Sequence, residues 1–161
     1  MKVIYPGSFD PVTNGHLDII TRCSEKFDEV IISVLNNNKK NSIFTVDERI
    51  ELIKESTLHL KNIQIDSFSG LLTEYAKRKN CSTIVRGLRA VSDFEYEMHM
   101  ALVNRKLYPQ LETIFMVSSS KVSFLSSSVV KEIASFKGEI SCFVPEIVEA
   151  ALIEKFKGGT R

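Results

Sequence analysis

The chain is poor in the residues that mark special architectures. Four prolines and seven glycines in 161 residues exclude collagen-like or low-complexity sequence and make disorder unexpected outside the last few residues. Three cysteines, Cys23, Cys81 and Cys142, are odd in number, far apart and without a C-x-x-C pair or a preceding secretory signal. They read as reduced thiols of a cytoplasmic protein, not as a disulfide framework. A formal net charge of +1 gives no general electrostatic case for nucleic acid or an anionic membrane. No apolar run approaches the roughly 18 residues of a membrane span. Several motifs are also missing. Without G-x-x-x-x-G-K-[ST] or G-x-G-x-x-G there is neither a P-loop nor a dinucleotide fingerprint. Zinc spacing, H-E-x-x-H and G-x-S-x-G are absent too, which disfavours a resident metal or an acyl-enzyme.

What is present describes an ordinary globular chain, 43% apolar and 25% charged, with enough length for one domain over residues 1–161. A chain of this size buries roughly 70% of the surface its unfolded form exposes. Strand-like runs alternate with helical stripes. Val3 to Tyr5 form a first strand, which Pro6 and Gly7 should break, and residues 14–26 follow at helical spacing. Val30 to Leu35 is a near-continuous β-branched run suited to a parallel strand covered on both faces. Thr45 and Glu48 form a capping box that opens a helix to about Leu58. Ile63 to Phe68 and Thr83 to Val85 are further strands, with Gly70 at the turn before Leu71, Leu72, Tyr75 and Ala76. Ser92 and Glu95 suggest a second capping box for a long helix to about Leu107. Thr113 to Val117 is the fifth strand, and two more helices end the chain. The pattern predicts a single-domain, Rossmann-like α/β fold: an open, parallel five-stranded sheet with helices on both faces.

Ligands of such sheets bind beyond the carboxyl ends of the strands. Ser8 and His16 follow the first strand, Lys40 the second, Arg86 and Arg89 the fourth, and the serine-rich segments the fifth. Paired arginines around Gly87 suit bidentate contacts to phosphate oxygens. Ser126 to Ser128 open a helix and offer hydroxyls and free N–H groups together. Each feature has a plain alternative: a turn histidine, solvated loop lysines, surface ion pairs and a serine N-cap.

The stretch Y-P-G-S-F-D-P at 5–11 with Thr13-Asn14-Gly15-His16 resembles the first signature of the nucleotidyltransferase superfamily, in the T-x-G-H form of bacterial phosphopantetheine adenylyltransferases. Phe44-Thr45, R-G-L-R-A-V-S-D-F-E-Y-E at 86–97 and S-F-L-S-S-S at 123–128 extend that likeness over nearly the whole chain. The superfamily's second signature, I-S-S-T-x-x-R, stands here as Leu125-Ser126-Ser127-Ser128-Val129-Val130-Lys131, with lysine at the last position.

The resemblance implies transfer of the adenylyl group of ATP to 4′-phosphopantetheine, giving dephospho-coenzyme A and pyrophosphate. It implies that His16, Lys40 and Arg89 act in catalysis. ATP would contact Ser8, Phe9, His16, Gly87, Leu88, Arg89, Glu97, Val122, Ser123, Phe124, Leu125, Ser126, Ser127 and Ser128. The acceptor would contact Ser8, Lys40, Leu72 and Arg86. It also implies Mg2+ arriving with ATP, coenzyme A as a feedback ligand and a homohexamer. A phosphate monoester is already ionised, so direct in-line attack needs no general base and no covalent enzyme intermediate. One rival is a superfamily member using nicotinamide mononucleotide or glycerol 3-phosphate. Another is a non-catalytic nucleotide-binding module, which loss of His16 or the arginines would mark.

Overall fold

A computed structural model of the chain describes residues 1–37 and 41–157. Its elements run β1 (Lys2–Gly7), α1 (Asn14–Lys26), β2 (Glu29–Leu35), α2 (Val46–Ser56), β3 (Ile63–Phe68), α3 (Leu72–Arg78), β4 (Thr83–Leu88), α4 (Val91–Leu107), β5 (Glu112–Val117), α5 (Ser127–Ser135) and α6 (Glu146–Lys157). All strand pairs are parallel, in the order β3-β2-β1-β4-β5. The α/β, Rossmann-like expectation is met. Strand order reverses between β1 and β4, which opens a crevice at the carboxyl ends of those two strands.

Alternation along the central strands divides the core. Val3 and Tyr5 of β1, with Val30, Ile32 and Val34 of β2, pack on α1, α2, α5 and α6. Ile4, Ile31 and Ile84 face the other way, toward Tyr75 and Ala76 of α3. Both faces of the sheet are therefore covered, as the β-branched runs demand.

Three local expectations are corrected. Pro6 and Gly7 continue β1, because β2 still pairs with them up to Gly7–Val34. On the β4 side the pairing is registered at Ile4–Ile84, and Pro6 has no N–H to extend it. Second, β4 runs through Arg86 and Gly87 to Leu88, so Arg86 projects from the strand itself. Third, Ser92 does not begin the long helix: Ala90 is the N-cap of α4 and no side chain caps it. Asp93, in the first turn, instead accepts from the backbone N–H and Nε–H of Arg89 at 3.3 and 3.1 Å, closing the loop one turn earlier. The box at Thr45 and Glu48 is as expected, with reciprocal bonds of 3.2 and 2.7 Å. Gly70 has φ +86°, a left-handed turn that favours glycine.

Candidate active site

The T-x-G-H segment is a helix start built twice over. Thr13 is the N-cap of α1, and its Oγ1 accepts from the N–H of His16. His16 answers by accepting the Thr13 N–H on Nδ1 at 3.1 Å. This assigns the proton of the neutral ring to Nε2, and no group among the described residues accepts from it. Removal from water, with the charges of Arg89 and Arg86 added, pushes the His16 pKa down to about 4. The ring is held edge-on by Phe9 at 5.0 Å. Phe9 takes φ +48° and lies over Gly7, where a Cβ would come within 2.9 Å of its ring, so only glycine fits there. At Gly15 the nearest atom to where a Cβ would stand is the Val122 carbonyl oxygen at 3.4 Å, an ordinary contact.

The crevice between β1 and β4 contains one cleft with two lobes. A polar lobe of about 460 Å³ is lined by His16, Arg89, Ser118, Ser126, Ser127 and Ser128, among others. An apolar lobe of about 300 Å³ is lined by Leu35, Phe68, Leu71, Leu72, Met100 and Ala101, with Asn104 and Thr113. Pro6, Gly7, Ser8, Arg86, Tyr96 and Glu97 belong to both lobes. Arg86 sits at the junction. Its Nε and NH2 bind both oxygens of Glu97 at 2.7 and 2.5 Å, and NH1 donates to the Pro6 carbonyl at 2.8 Å. Three of five N–H groups are engaged, leaving two for an anion. Glu97 orients the guanidinium and offsets its charge.

Arg89 reaches across the polar lobe, donating to the Leu125 carbonyl at 3.3 Å while Asp93 holds its Nε. Ser126 caps α5 by accepting from the Val129 N–H, and Ser127 Oγ donates to the Pro11 carbonyl at 2.7 Å. Two of the three serines thus have structural bonds as well as a place in the lobe. The helix they open brings its N-terminal turn to the wall of the polar lobe, a favourable end for an anion.

Of the residues singled out in the sequence, Ser8, Phe9, His16, Arg86, Gly87, Arg89, Glu97 and Leu125 to Ser128 share the polar lobe, and Leu72 lies in the apolar one. Leu88, Val122, Ser123 and Phe124 line neither lobe. Phe124 is 62% exposed and meets Phe143 edge-on, and Leu88 gives its carbonyl to Ser118 N–H. Lys40 lies outside the described residues. Sequence reasoning missed Arg49, 4% exposed, which donates to the carbonyls of Ser8, Leu35 and Thr45. Its signal was an arginine in the buried stripe of Leu52 and Ile53. It also missed Tyr96, Met100, Ala101 and Asn104, which follow one face of α4.

Residues 4–133 match the cytidylyltransferase-like family model. The phosphopantetheine adenylyltransferase of Alkaliphilus metalliredigens is 58% identical over 96% of this chain and 99% of its own length. The chain belongs to the phosphopantetheine adenylyltransferase family. The family's enzyme from Caldanaerobacter subterraneus subsp. tengcongensis is 59% identical over 96% of each chain. A solved Vibrio parahaemolyticus chain, assigned as a nicotinate-nucleotide adenylyltransferase, superposes with a TM-score of 0.68 at 18% identity over 94% of this chain and 97% of its own. That likeness speaks for the fold alone.

Proposed function

We infer that the two lobes receive the two substrates of a phosphopantetheine adenylyltransferase. The enzyme transfers the adenylyl group of ATP to 4′-phosphopantetheine, giving dephospho-coenzyme A and pyrophosphate. One observation carries the assignment of the site: an anion-binding lobe and an apolar lobe meet at a single oriented arginine. ATP takes the polar lobe, its polyphosphate against Arg89 and the first turn of α5. The pantetheine arm takes the apolar lobe along Leu72, Phe68 and Met100, and its phosphate takes the free edge of Arg86.

The acceptor phosphate oxygen attacks the α-phosphorus in line, a new P–O bond forms, and the bond to the β-phosphate oxygen breaks as pyrophosphate leaves. The attacking oxygen is already anionic, so the residues position substrates and stabilise charge. Neutral His16 donates its Nε2–H to an α-phosphate oxygen as charge grows there. Lys40 is assigned to the acceptor phosphate.

Among the described residues no three of His, Cys, Asp and Glu gather into a metal cluster. Mg2+ is proposed to enter with ATP as part of the substrate, and coenzyme A, which carries both moieties, to compete for both lobes as a feedback ligand. No helix among the described residues is long and apolar enough to cross a membrane. The proposed location is the cytoplasm, and nucleic acid is not a proposed partner. A homohexamer is the proposed assembly; what supports association is α4, which exposes Leu102, Val103 and Leu107 at 61%, 51% and 48%, an apolar surface that a partner subunit would cover. The test is pyrophosphate release with ATP and a panel of 4′-phosphopantetheine, pantetheine, nicotinamide mononucleotide and glycerol 3-phosphate. Turnover with the first alone is expected, and preference for either of the last two would overturn the acceptor assignment.

A further inference from the structure

Below the polar lobe lies a buried carboxylate that lines neither lobe. Asp10 is 6% exposed. Its Oδ1 accepts from Phe44 N–H at 3.0 Å, and its Oδ2 accepts from Ile43 N–H at 3.1 Å and from the Lys131 ammonium at 2.7 Å. These bonds join three parts of the chain: the loop after β1 that carries Ser8 and Phe9, the segment leading into α2, and α5. Lys131 stands one turn into a helix whose first turn lines the polar lobe. A basic residue there invites reading as a phosphate ligand, yet its amine turns to Asp10, with 27% of its side chain exposed.

We infer that Asp10 and Lys131 form a clamp that sets the spacing of the substrate-binding loops, with Lys131 a positioning residue and not a ligand of ATP. Three further bonds run along the same seam. Ser127 Oγ donates to the Pro11 carbonyl, tying the first turn of α5 to the Asp10 loop. Arg49 donates to the carbonyls of Ser8 and Thr45, tying that loop to the start of α2. The clamp thus couples elements that serve both substrates: the first turn of α5 on the nucleotide side, and Ser8, shared by both lobes. A direct phosphate ligand would serve only ATP.

This inference rests on the proposed substrates, and its test separates the two. Lys131→Met, Lys131→Arg, Asp10→Asn and the double variant Asp10→Asn/Lys131→Met are compared with the unmodified enzyme, by two-substrate kinetics and by amide hydrogen exchange. Lys131→Met should raise KM for ATP and for 4′-phosphopantetheine together, about tenfold each, and lower kcat. Lys131→Arg should restore most of this. The double variant, which leaves no lone buried charge, should be no worse than the poorer single variant, since the two residues act as one unit. Without any substrate, Lys131→Met should speed exchange at the amides of Ile43, Phe44 and the first turn of α5 together. A rise in KM for ATP alone, additive with Asp10→Asn, would make Lys131 a ligand and overturn the clamp. Unchanged exchange, or lowered thermal stability with unchanged kinetics, would overturn it as well. Inactivity of the unmodified enzyme with 4′-phosphopantetheine would instead remove the substrate assignment, leaving the exchange experiment to decide the clamp.

Discussion

The two lobes of the cleft are built by opposite means. The polar lobe depends on prior hydrogen bonding: His16 is held by Thr13, Arg86 by Glu97, Arg89 by Asp93, and the loop between β1 and α1 by Arg49 and Asp10. Each group is fixed before a ligand arrives, so little reorganisation remains when charge develops. The apolar lobe is a gap between packed elements, floored by Ile84 of the sheet and walled by α3 and α4. Phe68, on its wall, is backed by a stack on Tyr75 with 4.6 Å between centroids. Errors in the first lobe should cost rate or ATP affinity, and errors in the second should cost acceptor affinity.

The largest effect is expected at His16. His16→Ala removes the proposed preorganised donor to the α-phosphate, a contact of a kind worth about 3 to 4 kcal/mol, and kcat should fall about 10²- to 10³-fold with modest changes in either KM. Turnover near that of the unmodified enzyme would reduce the residue to its capping role. Arg86→Lys comes next, because an ammonium cannot bind both oxygens of Glu97 and still present a forked edge to a phosphate. Its kcat/KM for 4′-phosphopantetheine should drop about 10- to 100-fold, in line with about 1.5 to 3 kcal/mol for a charge-assisted contact. An unchanged value in steady-state kinetics would place the acceptor phosphate elsewhere.

These two predictions lie in the part of the molecule most legible from sequence. Thr13 to His16, Arg86 to Arg89 and Ser126 to Ser128 are contiguous, and each run is short enough for its chemistry to be read without knowing the fold. The five strands were legible for a similar reason, since β-branched runs covered on both faces leave a continuous apolar trace. The apolar lobe was not. Met100, Ala101 and Asn104 share an α4 face with Glu97, and nothing in helical spacing distinguishes a ligand wall from core. The start of α4 was misplaced because Ser92 and Glu95 carry a capping pattern, while the decisive contact, Arg89 to Asp93, turns a local carboxylate to a loop. The tie of Arg49 to Ser8 and that of Lys131 to Asp10 were opaque because they span 41 and 121 residues.

A smaller effect is expected in the apolar lobe. Met100→Ala removes apolar surface facing the pantetheine arm, at about 0.8 kcal/mol per buried methylene. KM for 4′-phosphopantetheine should rise roughly fivefold to thirtyfold while ATP is unaffected. Equal changes for both substrates in initial-rate kinetics would blur the division.

The smallest effect concerns pH. With its pKa held down to about 4 against an ordinary 6.5, His16 stays neutral through the working range. Its protonation should therefore leave no inflection in kcat between about pH 5.5 and 8. The unfolded chain takes up this proton at a higher pH than the folded one does. The group's contribution to stability is thus complete above the ordinary value and is lost as pH falls from about 6.5 to about 4. An NMR titration of the His16 ring with a midpoint near 6.5 would contradict the assigned environment.

The most direct test of the division is a crossed comparison of Arg89→Ala and Leu72→Ala, with KM measured for ATP and for 4′-phosphopantetheine in each. The two-lobe account predicts that Arg89→Ala weakens ATP about 10- to 100-fold and the acceptor no more than a few-fold, whereas Leu72→Ala does the reverse at smaller amplitude. The double variant should show the two penalties independently. If either substitution weakened both substrates equally, or if Leu72→Ala acted on ATP, the lobes would not divide the substrates as described.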